Sequence, residues 1–376
     1  MSNLVVTPVT SRGQQRQFVN FPWKFYEGDP NWVPPLVGEH RKLLGYRHHP
    51  FYDDGEIQTF LATRGGQVCG RVAAIVNHAH NRRMNEKRGF FGFFESVDDQ
   101  QVANSLFDAA RDWLFARGMQ SIRGPANPSL NYEIGLLVDG FHSPPTFMMT
   151  YNMPYYGKLI EGWGFKKVQD MYAFWGHIDM LSKLDRKLWF IGNEAKKRFN
   201  VTVRLMKSND FKSEMEMFLR VYNESLIGTW GFVPLSAGEV KEWGAGAKHL
   251  IVPELSVVAE VEGQPIGACF ALLDYNPRIK KIDGRLFPFG FLHLLRNKRA
   301  ITKMRVISIN VVPEYQRWGL GVVLLGGLIE PLQKWGMKEV EFSWVLESNT
   351  LSRGSLEKGG AKLDKTYRMY DFEPAA

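Results

Sequence analysis

The sequence predicts an α+β fold: two tandem domains, each with a mixed, mostly antiparallel sheet flanked by helices. Three observations support this prediction. The chain has 376 residues, 44% of them hydrophobic, which suffices for buried cores and is long for one domain. Strand-like segments joined by glycine turns, typical of hairpins, are interspersed with segments of helical periodicity. Two sequence motifs also occur twice, in the same order.

The repeated motifs indicate a tandem duplication. Gly65–Val76 and Glu262–Leu273 both contain Gly-Gln-x-x-Gly followed by small and apolar residues, and each follows an apolar strand. Ile160–Lys166 and Leu356–Lys362 share Glu-x-x-Gly-x-Lys, which fits a helix end, a glycine cap and a following strand. Because corresponding residues of the second pair lie 196 positions apart, the second half repeats the first.

The repeat also sets the predicted domain boundaries. We predict a first domain over residues 1–178, a connecting helix over 179–200 and a second domain over 201–376. The connecting segment has helical spacing and many charges. No linker rich in Gly, Ser or Pro separates the halves, so we expect them to pack together.

Composition limits the compartment and the partners. Cys69 and Cys269 are the only cysteines, which excludes a disulfide framework and is typical of a reduced, cytoplasmic setting. No apolar run approaches the roughly 18 residues of a membrane-spanning helix. The net charge of +8 suits an anionic partner without choosing one. No nucleic-acid module is recognisable, and His78 and His80 lack a third ligand, so neither nucleic acid nor metal is expected.

A glycine-spaced turn near residue 319 joins an apolar strand to an apolar helix. Gly319 and Gly321 let the backbone approach a bulky anion, and the helix that follows directs free amides to the same place. Arg317 adds charge. A dinucleotide fingerprint would need glycine at Leu324, and a P-loop would need lysine at Val322, so both fail. A phosphate cradle and a simple change of chain direction both remain open on these residues alone.

The turn in its context resembles a known motif. The segment VVPEYQRWGLG (residues 311–321) is similar to the acyl-CoA-binding motif of the GNAT superfamily of N-acyltransferases, V-x-P-x-x-[Q/R]-x-x-G-x-[G/A]. Asn349, after the next strand, matches an asparagine that commonly faces the cofactor. The resemblance covers residues 201–376 and extends more weakly, through the repeat, to the first half. The whole chain resembles bacterial tandem-domain members.

The resemblance implies that acyl-CoA, acetyl or longer, is a co-substrate and that two GNAT-like domains are present. The backbone of Asn310, Val311 and Val312 would pair with the pantetheine amides, and the amides from Gln316 to Gly321 would hold the pyrophosphate. The implied cofactor-binding residues are Val311, Val312, Gln316, Arg317, Trp318, Gly319, Leu320, Gly321 and Asn349.

The first half lacks this turn. Glu95, Asp98 and Asp99 occupy the corresponding place, where carboxylates would repel phosphates. We therefore predict that the first domain binds no CoA and builds the acceptor side of the site. The long connection over residues 127–156 carries polar groups on rigid aromatic rings, and it is either a pocket wall or an ordinary packed loop. The candidate substrate-binding residues are Asn131, Tyr132, Tyr151 and Tyr155.

A second insertion, residues 278–305, has nine basic residues against one acidic residue around an apolar centre. Transient contact with a membrane surface, contact with an acyl chain or an anionic acceptor, and a buried segment with solvated ends are all open. The expected acceptor is a small-molecule or lipid amine, and the oligomeric state is undetermined.

Catalytic residues are less well defined by the sequence. Many family members use a tyrosine on the last helix as general acid, and that position is Leu356 here. Tyr367 is the candidate substitute, with a core aromatic as the alternative. Glu347 is a candidate base or a surface carboxylate, and Asn310 projects from the cofactor strand.

The predicted function is acyl-CoA-dependent N-acylation of an amine by direct attack in a ternary complex. Two alternatives remain. Tandem domains and basic charge also fit an aminoacyl-tRNA-dependent transferase of the peptidoglycan type. The absence of tyrosine at Leu356 fits a non-catalytic acyl-CoA sensor.

Overall fold

Two compact units make up the part of the chain that the computed structural model describes, residues 3–183 and 186–374. Unit 1 consists of the residues up to Asp170, Asn276–Leu294 and the residues from Lys365 onwards. Unit 2 consists of Met171–Tyr275 and Leu295–Asp364. Each unit thus combines segments that are far apart in the sequence.

Strands and helices are interspersed along the described chain, as the α+β prediction requires. The strands are β1 (Leu4–Pro8), β2 (Gly55–Arg64), β3 (Gln67–Asn77), β4 (Arg88–Ser96), β5 (Ser121–Gly124), β6 (Ala126–Asn127), β7 (Glu133–Ile134), β8 (Leu136–Asp139), β9 (Lys166–His177), β10 (Thr202–Leu205), β11 (Val257–Val261), β12 (Gln264–Leu273), β13 (Lys303–Val311), β14 (Glu339–Leu346) and β15 (Lys362–Phe372). The helices are α1 (Arg12–Phe25), α2 (Val37–Leu43), α3 (His78–Met84), α4 (Gln100–Phe115), α5 (Tyr156–Trp163), α6 (Arg186–Arg198), α7 (Phe211–Ser225), α8 (Ala237–Ala247), α9 (Asn276–Lys281), α10 (Gly290–Leu295), α11 (Leu320–Trp335) and α12 (Thr350–Lys358). None of these helices is both long and apolar enough to cross a membrane.

The sheets of the two units follow the same plan. In unit 1 the order is β1-β2-β3-β4-β5-β15, and in unit 2 it is β10-β11-β12-β13-β14-β9. Neighbouring strands are antiparallel except for one parallel pair in each unit, β4 with β5 and β13 with β14. A helix connects each parallel pair, α4 in unit 1 and α11 in unit 2. The α+β class is confirmed, and the shared plan agrees with the duplication.

The last strand of each sheet comes from the other half of the sequence. In unit 1, Tyr370 on β15 pairs opposite Gly124 on β5. In unit 2, Glu339 on β14 pairs opposite His177 on β9. These backbone ladders make the units differ from the contiguous domains predicted over residues 1–178 and 201–376.

The core of unit 1 forms where α4 packs on its sheet. Four apolar side chains recur along one face of this helix and are fully buried, as expected for an amphipathic helix. They are Val102, Leu106, Ala110 and Leu114. Phe91 and Phe165 extend this core with ring centroids 4.8 Å apart.

In unit 2, α11 covers the sheet and is itself covered by α6. The apolar face of α11 buries Leu320, Val323, Leu324, Leu328 and Leu332. Helix α6 is the major part of the segment predicted as a connecting helix. It approaches α11 closely at Gly192, where an added β-carbon would lie 3.4 Å from Val322 Cγ1. The segment is therefore part of the packed structure of unit 2, on the outer side of α11.

Candidate active site

The parallel strands of unit 2 diverge to form a wedge. β13 and β14 pair only from Lys303 opposite Glu339 to Val306 opposite Phe342. Beyond that point β13 continues along β12, and β14 continues along β9. A register shift between β12 and β13 leaves Ile307 as an extra residue, which bends the strand where the divergence begins. Among the described residues, the facing edges beyond Val306 and Phe342 therefore have no ladder partner.

Backbone direction decides which residues of β13 face the wedge. The Val312 amide donates to Ile266 O at 2.9 Å and is therefore engaged with the neighbouring strand. Because main-chain groups alternate in direction along an antiparallel pair, Asn310 also faces β12, whereas Ile309 and Val311 face the opposite edge. An extended chain with amide groups would pair with Ile309 and Val311. This corrects the predicted role of the Val312 amide.

Three buried polar atoms on the diverging segments have no hydrogen-bond partner among the residues that the structure describes. They are Ser308 Oγ, Asn310 Nδ2 and Trp344 Nε1. A buried polar group without a partner costs roughly 1–3 kcal/mol, so such groups are rare in native proteins. Burial without a partner makes these three groups candidates for contact with a polar ligand.

Gln316 fastens the loop that follows β13. Its Nε2 donates to Val311 O at 2.9 Å and to Ser225 O at 3.0 Å, at the end of α7. Its backbone amide donates to Pro313 O at 3.3 Å. Gln316 was predicted to bind the cofactor, and in this structure both donors serve the loop itself. The free amides of the turn therefore begin at Arg317.

The N-terminus of α11 has no side-chain cap. Gly319 is the N-cap residue with φ of 80°, and no side chain bonds to the first turn. In the described part of the chain, the amides of Arg317, Trp318, Leu320 and Gly321 have no hydrogen bond to a group outside the loop and α11. Their N–H groups and the positive end of the helix dipole make this loop suited to an anion.

The two glycines of the loop have different structural roles. A β-carbon added at Gly319 would lie 2.6 Å from Ile191 Cγ2 on α6. Gly319 is therefore required by packing and by its positive φ. A β-carbon added at Gly321 would meet only Ile309 Cγ2, at 3.7 Å, which is an ordinary contact. Packing among the described residues does not require glycine at position 321.

The end of α6 supplies residues that the sequence reasoning missed. The Arg198 guanidinium lies 4.1 Å from the centroid of the Trp318 ring. The Phe199 ring contacts Trp318 edge-on at 5.5 Å and Tyr315 at 5.2 Å. Trp318 was predicted as a cofactor residue, and the residue is 41% exposed beside a cation. The feature of the sequence that could have pointed to these residues is the basic end of the predicted connecting helix.

Ser308 and Asn310 lie on a sheet face lined with aromatic rings. Phe270 is opposite Ser308 in the register, and directly opposite residues share a face. The Phe270 ring packs against Phe218 of α7 at 4.6 Å and Trp243 of α8 at 5.7 Å. The polar groups of the wedge therefore adjoin a largely apolar wall.

The remaining catalytic candidates lie on different elements. Glu347 follows β14 in unit 2, is partly buried, and its backbone oxygen accepts a hydrogen bond from Arg353 at 3.3 Å. Asn349 is exposed and caps α12, with its Oδ1 accepting from Ser352 N at 3.1 Å. Leu356 is buried on α12. Tyr367 is fully buried on β15, within unit 1.

The acceptor-side candidates lie in unit 1. The Tyr151 hydroxyl donates to Asp29 at 2.8 Å, and the Tyr155 hydroxyl donates to Ser96 O at 2.8 Å. Burial raises the pKa of both tyrosines. These two hydroxyls therefore serve the packing of the loop.

Tyr132 and Asn131 lie nearer the start of the same connection. The Tyr132 ring contacts His49 edge-on at 5.5 Å, and the Asn131 amide donates to Ser129 Oγ at 3.3 Å. Both residues are partly buried, so they remain candidates for lining a pocket within unit 1.

In unit 1 the chain itself fills the place that corresponds to the wedge. Asn127 Oδ1 accepts a hydrogen bond from the Phe93 amide at 2.7 Å, on the edge of β4. A β-carbon added at Gly92 would lie 2.0 Å from Ala126 O, so β6 is in close contact with β4. Among the described residues, β6 and the Asn127 side chain therefore occupy the edge of β4 at Gly92 and Phe93.

Two of the three acidic residues predicted at this place, Glu95 and Asp99, are engaged within unit 1, and Asp98 is exposed. Glu95 accepts hydrogen bonds from Tyr26 at 2.6 Å and Tyr156 at 2.7 Å, and lies 3.5 Å from Arg71. Burial raises the pKa of the Glu95 carboxyl, and Arg71 opposes the rise. Asp99 caps α4, so this helix start is already satisfied, in contrast to that of α11.

Comparisons with known proteins agree with this geometry. A family model described as "Acetyltransferase (GNAT) family" matches residues 215–360. "Protein YghO" of Escherichia coli (strain K12) is 32% identical over 382 residues, covering 99% of this chain and 97% of the relative. "Bacterial ceramide synthase" of Caulobacter vibrioides is 32% identical over 380 residues, covering 98% and 97%.

A solved structure has the same tandem fold. A "Tandem GNAT protein from the clavulanic acid biosynthesis pathway" aligns over the full length of both chains, with a TM-score of 0.57 and 11% identity. A GCN5-related N-acetyltransferase from Sphaerobacter thermophilus aligns over 99% of this chain and 97% of its own, with a TM-score of 0.52 and 12% identity. At these identities the likeness concerns the fold.

Proposed function

Since this chain belongs to the GNAT acetyltransferase family of acyltransferases, we propose that it transfers a long-chain acyl group from acyl-CoA to the amine of a long-chain lipid base. The observation that carries the proposal is the wedge between β13 and β14, open beside the uncapped start of α11. The lipid substrate is suggested by the full-length relative named bacterial ceramide synthase, because a ceramide is the amide of a fatty acid and a long-chain amino alcohol.

The acyl-CoA would be held mainly by backbone groups. Ile309 and Val311 would pair with the pantetheine amides as an added strand does. The amides from Arg317 to Gly321 would hold the pyrophosphate at the helix start. Arg317 and Arg198 supply positive charge close to these amides, which suits the phosphate groups of CoA.

The reaction needs a neutral amine and a place for the developing oxyanion. The amine nitrogen attacks the thioester carbon, a C–N bond forms, and the C–S bond breaks with release of CoA as thiolate. The amine proton passes to Glu347, directly or through water. Asn310 Nδ2 and Ser308 Oγ, which are buried donors on β13, would orient the reacting groups by hydrogen bonds. A thiolate is a good leaving group, so a tyrosine at Leu356 is dispensable.

The apolar wall supports a long acyl chain or a long-chain amine. Phe218, Trp243 and Phe270 pack around the face that carries Ser308. Apolar pockets with a few polar groups are typical of sites for lipid-like ligands. Unit 1 would bind no CoA, because Asn127 and β6 fill its corresponding edge.

A coupled assay tests the proposal. The purified protein is incubated with acyl-CoAs from acetyl to palmitoyl and with long-chain amino alcohols or short water-soluble amines, and free thiol and amide product are measured. We expect thiol release that depends on both a long acyl chain and a long-chain amine. Turnover of acetyl-CoA alone would contradict the lipid assignment. Binding of acyl-CoA without turnover of any amine would favour the sensor suggested by Leu356.

A further inference from the structure

A short helical hairpin in unit 1 exposes large apolar side chains. It is formed by α9, the following turn and α10, and its outer end carries Phe287, Phe289, Phe291 and Leu292, here called the apolar tip. These side chains are 81%, 73%, 39% and 54% exposed. Phe287 and Phe291 contact each other, with ring centroids 6.2 Å apart. Contiguous exposed apolar groups of this size mark interaction sites.

The hairpin is attached to unit 1 through Asn276 at the start of α9 and through Asp283 and Gly284 in the turn, here together called its base. Asn276 Nδ2 donates to Pro145 O at 2.7 Å, and the Val37 amide donates to Gly284 O at 3.0 Å. Trp23 Nε1 donates to Asp283 Oδ1 at 2.9 Å. The base is therefore held by hydrogen bonds to three separate parts of the chain. Because these hydrogen bonds hold the base in place, the apolar tip is exposed in the folded chain.

The surroundings of the tip are basic. Lys281 and Arg285 are exposed on the hairpin, and residues 276–294 contain four basic residues, Arg278, Lys280, Lys281 and Arg285, against a single acidic one. That acidic residue, Asp283, already accepts from Trp23 and pairs with Arg285. Apolar side chains flanked by Lys and Arg are the pattern of segments that enter the headgroup region of anionic membranes.

We infer that the apolar tip and its basic flanks form a docking surface for an anionic phospholipid membrane. The phenylalanine side chains enter the boundary between headgroups and acyl chains, and Lys281 and Arg285 contact lipid phosphates. The charge of the flanks favours a lipid surface over a second copy of this chain, whose corresponding surface is also basic. The inference uses exposure and charge alone and does not depend on the proposed reaction.

Vesicle co-sedimentation tests this surface without any turnover. The full chain is mixed with phosphatidylcholine vesicles that contain or lack phosphatidylglycerol. We expect binding to the anionic vesicles that weakens with added salt. The double variant Phe287→Ser/Phe289→Ser should bind at least about tenfold more weakly. Lys281→Glu/Arg285→Glu should weaken binding at least about 25-fold, because each of the two basic residues near the surface contributes about fivefold.

A matched control removes exposed apolar side chains elsewhere. Leu351 and Leu363 are 67% and 52% exposed, and Leu351→Ser/Leu363→Ser should bind vesicles as the unmodified chain does. Absence of binding by the unmodified chain, or equal binding by the tip variant and the control, would overturn the inference. A change of oligomeric state in the tip variant without vesicle binding would assign the tip to a protein interface and would also overturn it. A chain that binds anionic vesicles but transfers no acyl group would contradict the proposed reaction and still support the docking surface. The two failures are therefore distinguishable.

Discussion

A β-carbon on Gly319 would collide with Ile191, the two atoms lying only 2.6 Å apart, whereas the β-carbon site of Gly321 meets nothing closer than 3.7 Å. The first glycine of the loop therefore serves the packing of α6 on α11. Substituting it would disturb the fold and ligand binding together. The second glycine lies at an uncapped helix start with room beside it. A substitution at position 321 therefore tests ligand binding without disturbing the packing of α6 on α11.

Gly321→Asp should leave the protein stable and weaken CoA binding. An acidic residue in the first turn favours the helix dipole by about 0.3–1 kcal/mol, and replacing glycine in a helix adds a similar gain. The same carboxylate would repel the pyrophosphate, so we expect the dissociation constant for CoA to rise at least about tenfold. Calorimetry with CoA and thermal unfolding measure the two quantities.

Gly321→Ala is the control for that experiment. The motif accepts alanine here and the added methyl group meets only an ordinary contact, so affinity should stay close to that of the unmodified chain. Equal CoA affinity in the aspartate and alanine variants would show that phosphates lie elsewhere.

Gln316→Glu should loosen the loop. The change keeps the shape of the side chain but places a carboxylate against the carbonyl oxygens of Val311 and Ser225, which now accept from Nε2. Loss of two hydrogen bonds and the new repulsion should lower the unfolding free energy by about 1–3 kcal/mol and weaken CoA binding. Gln316→Arg retains a donor and should recover most of both. If glutamate and arginine behave alike, the fastening role is refuted.

The sequence predicted the strand, the turn and the helix around this loop because the signal for them is local. A strand, a turn with two glycines and a helix follow one another, and the motif from Val311 to Gly321 spans only that unit. The sequence could not predict that the last strand of each sheet comes from the other half of the chain, because β9 and β15 end equivalent repeats and have similar patterns. Which of two similar strands completes a sheet is decided by chain geometry over the whole repeat. The sequence also could not predict that Asn127 occupies the edge of β4 in unit 1, since there a single side-chain amide takes the place of a strand partner.

Asn310→Val should lower the activity and keep or raise the thermal stability. The Asn310 side chain is buried and its Nδ2 has no partner, so removing it relieves a cost of about 1–3 kcal/mol while valine suits a strand. Thermal stability should be kept or raised. If Asn310 orients the reacting groups, kcat/KM for amide formation should fall at least about tenfold.

Ser256→Ala provides the comparison for Asn310. Ser256 Oγ is also buried without a partner, but it lies before β11 and outside the wedge. This variant should be equally stable and fully active. Undiminished turnover in Asn310→Val would remove Asn310 from the site.

Arg71→Met should destabilise unit 1 without changing the chemistry of the CoA loop. Arg71 is the cation beside Glu95, and its loss leaves a carboxylate buried with only tyrosine donors. Breaking one side of a buried ion pair typically costs about 3–5 kcal/mol. The Glu95 pKa is raised by burial and would rise further, so the loss should grow as pH increases. Arg71→Met/Glu95→Gln removes the charge and keeps an acceptor, and chemical denaturation should show substantial recovery. Equal instability of the single and double variants would contradict an electrostatic cause.

His80 should make stability depend on pH below neutrality. Its ring is buried, packs edge-on against Phe90 at 5.0 Å, and lies 3.5 Å from Glu86 and within the field of Arg88 and Arg123. Burial lowers the His80 pKa from 6.5 to about 4.

The unfolded chain therefore binds the His80 proton more readily than the folded chain. The stabilisation is complete above pH 6.5 and is lost as pH falls towards 4, and by pH 5 the loss is about 2 kcal/mol. His80→Leu should flatten this part of the stability profile, measured by denaturant unfolding between pH 7 and pH 5. His78→Leu, at the more exposed neighbouring histidine, should retain the slope. An unchanged slope in His80→Leu would assign the acid sensitivity to other groups, with the carboxylates of unit 1 as the next to test.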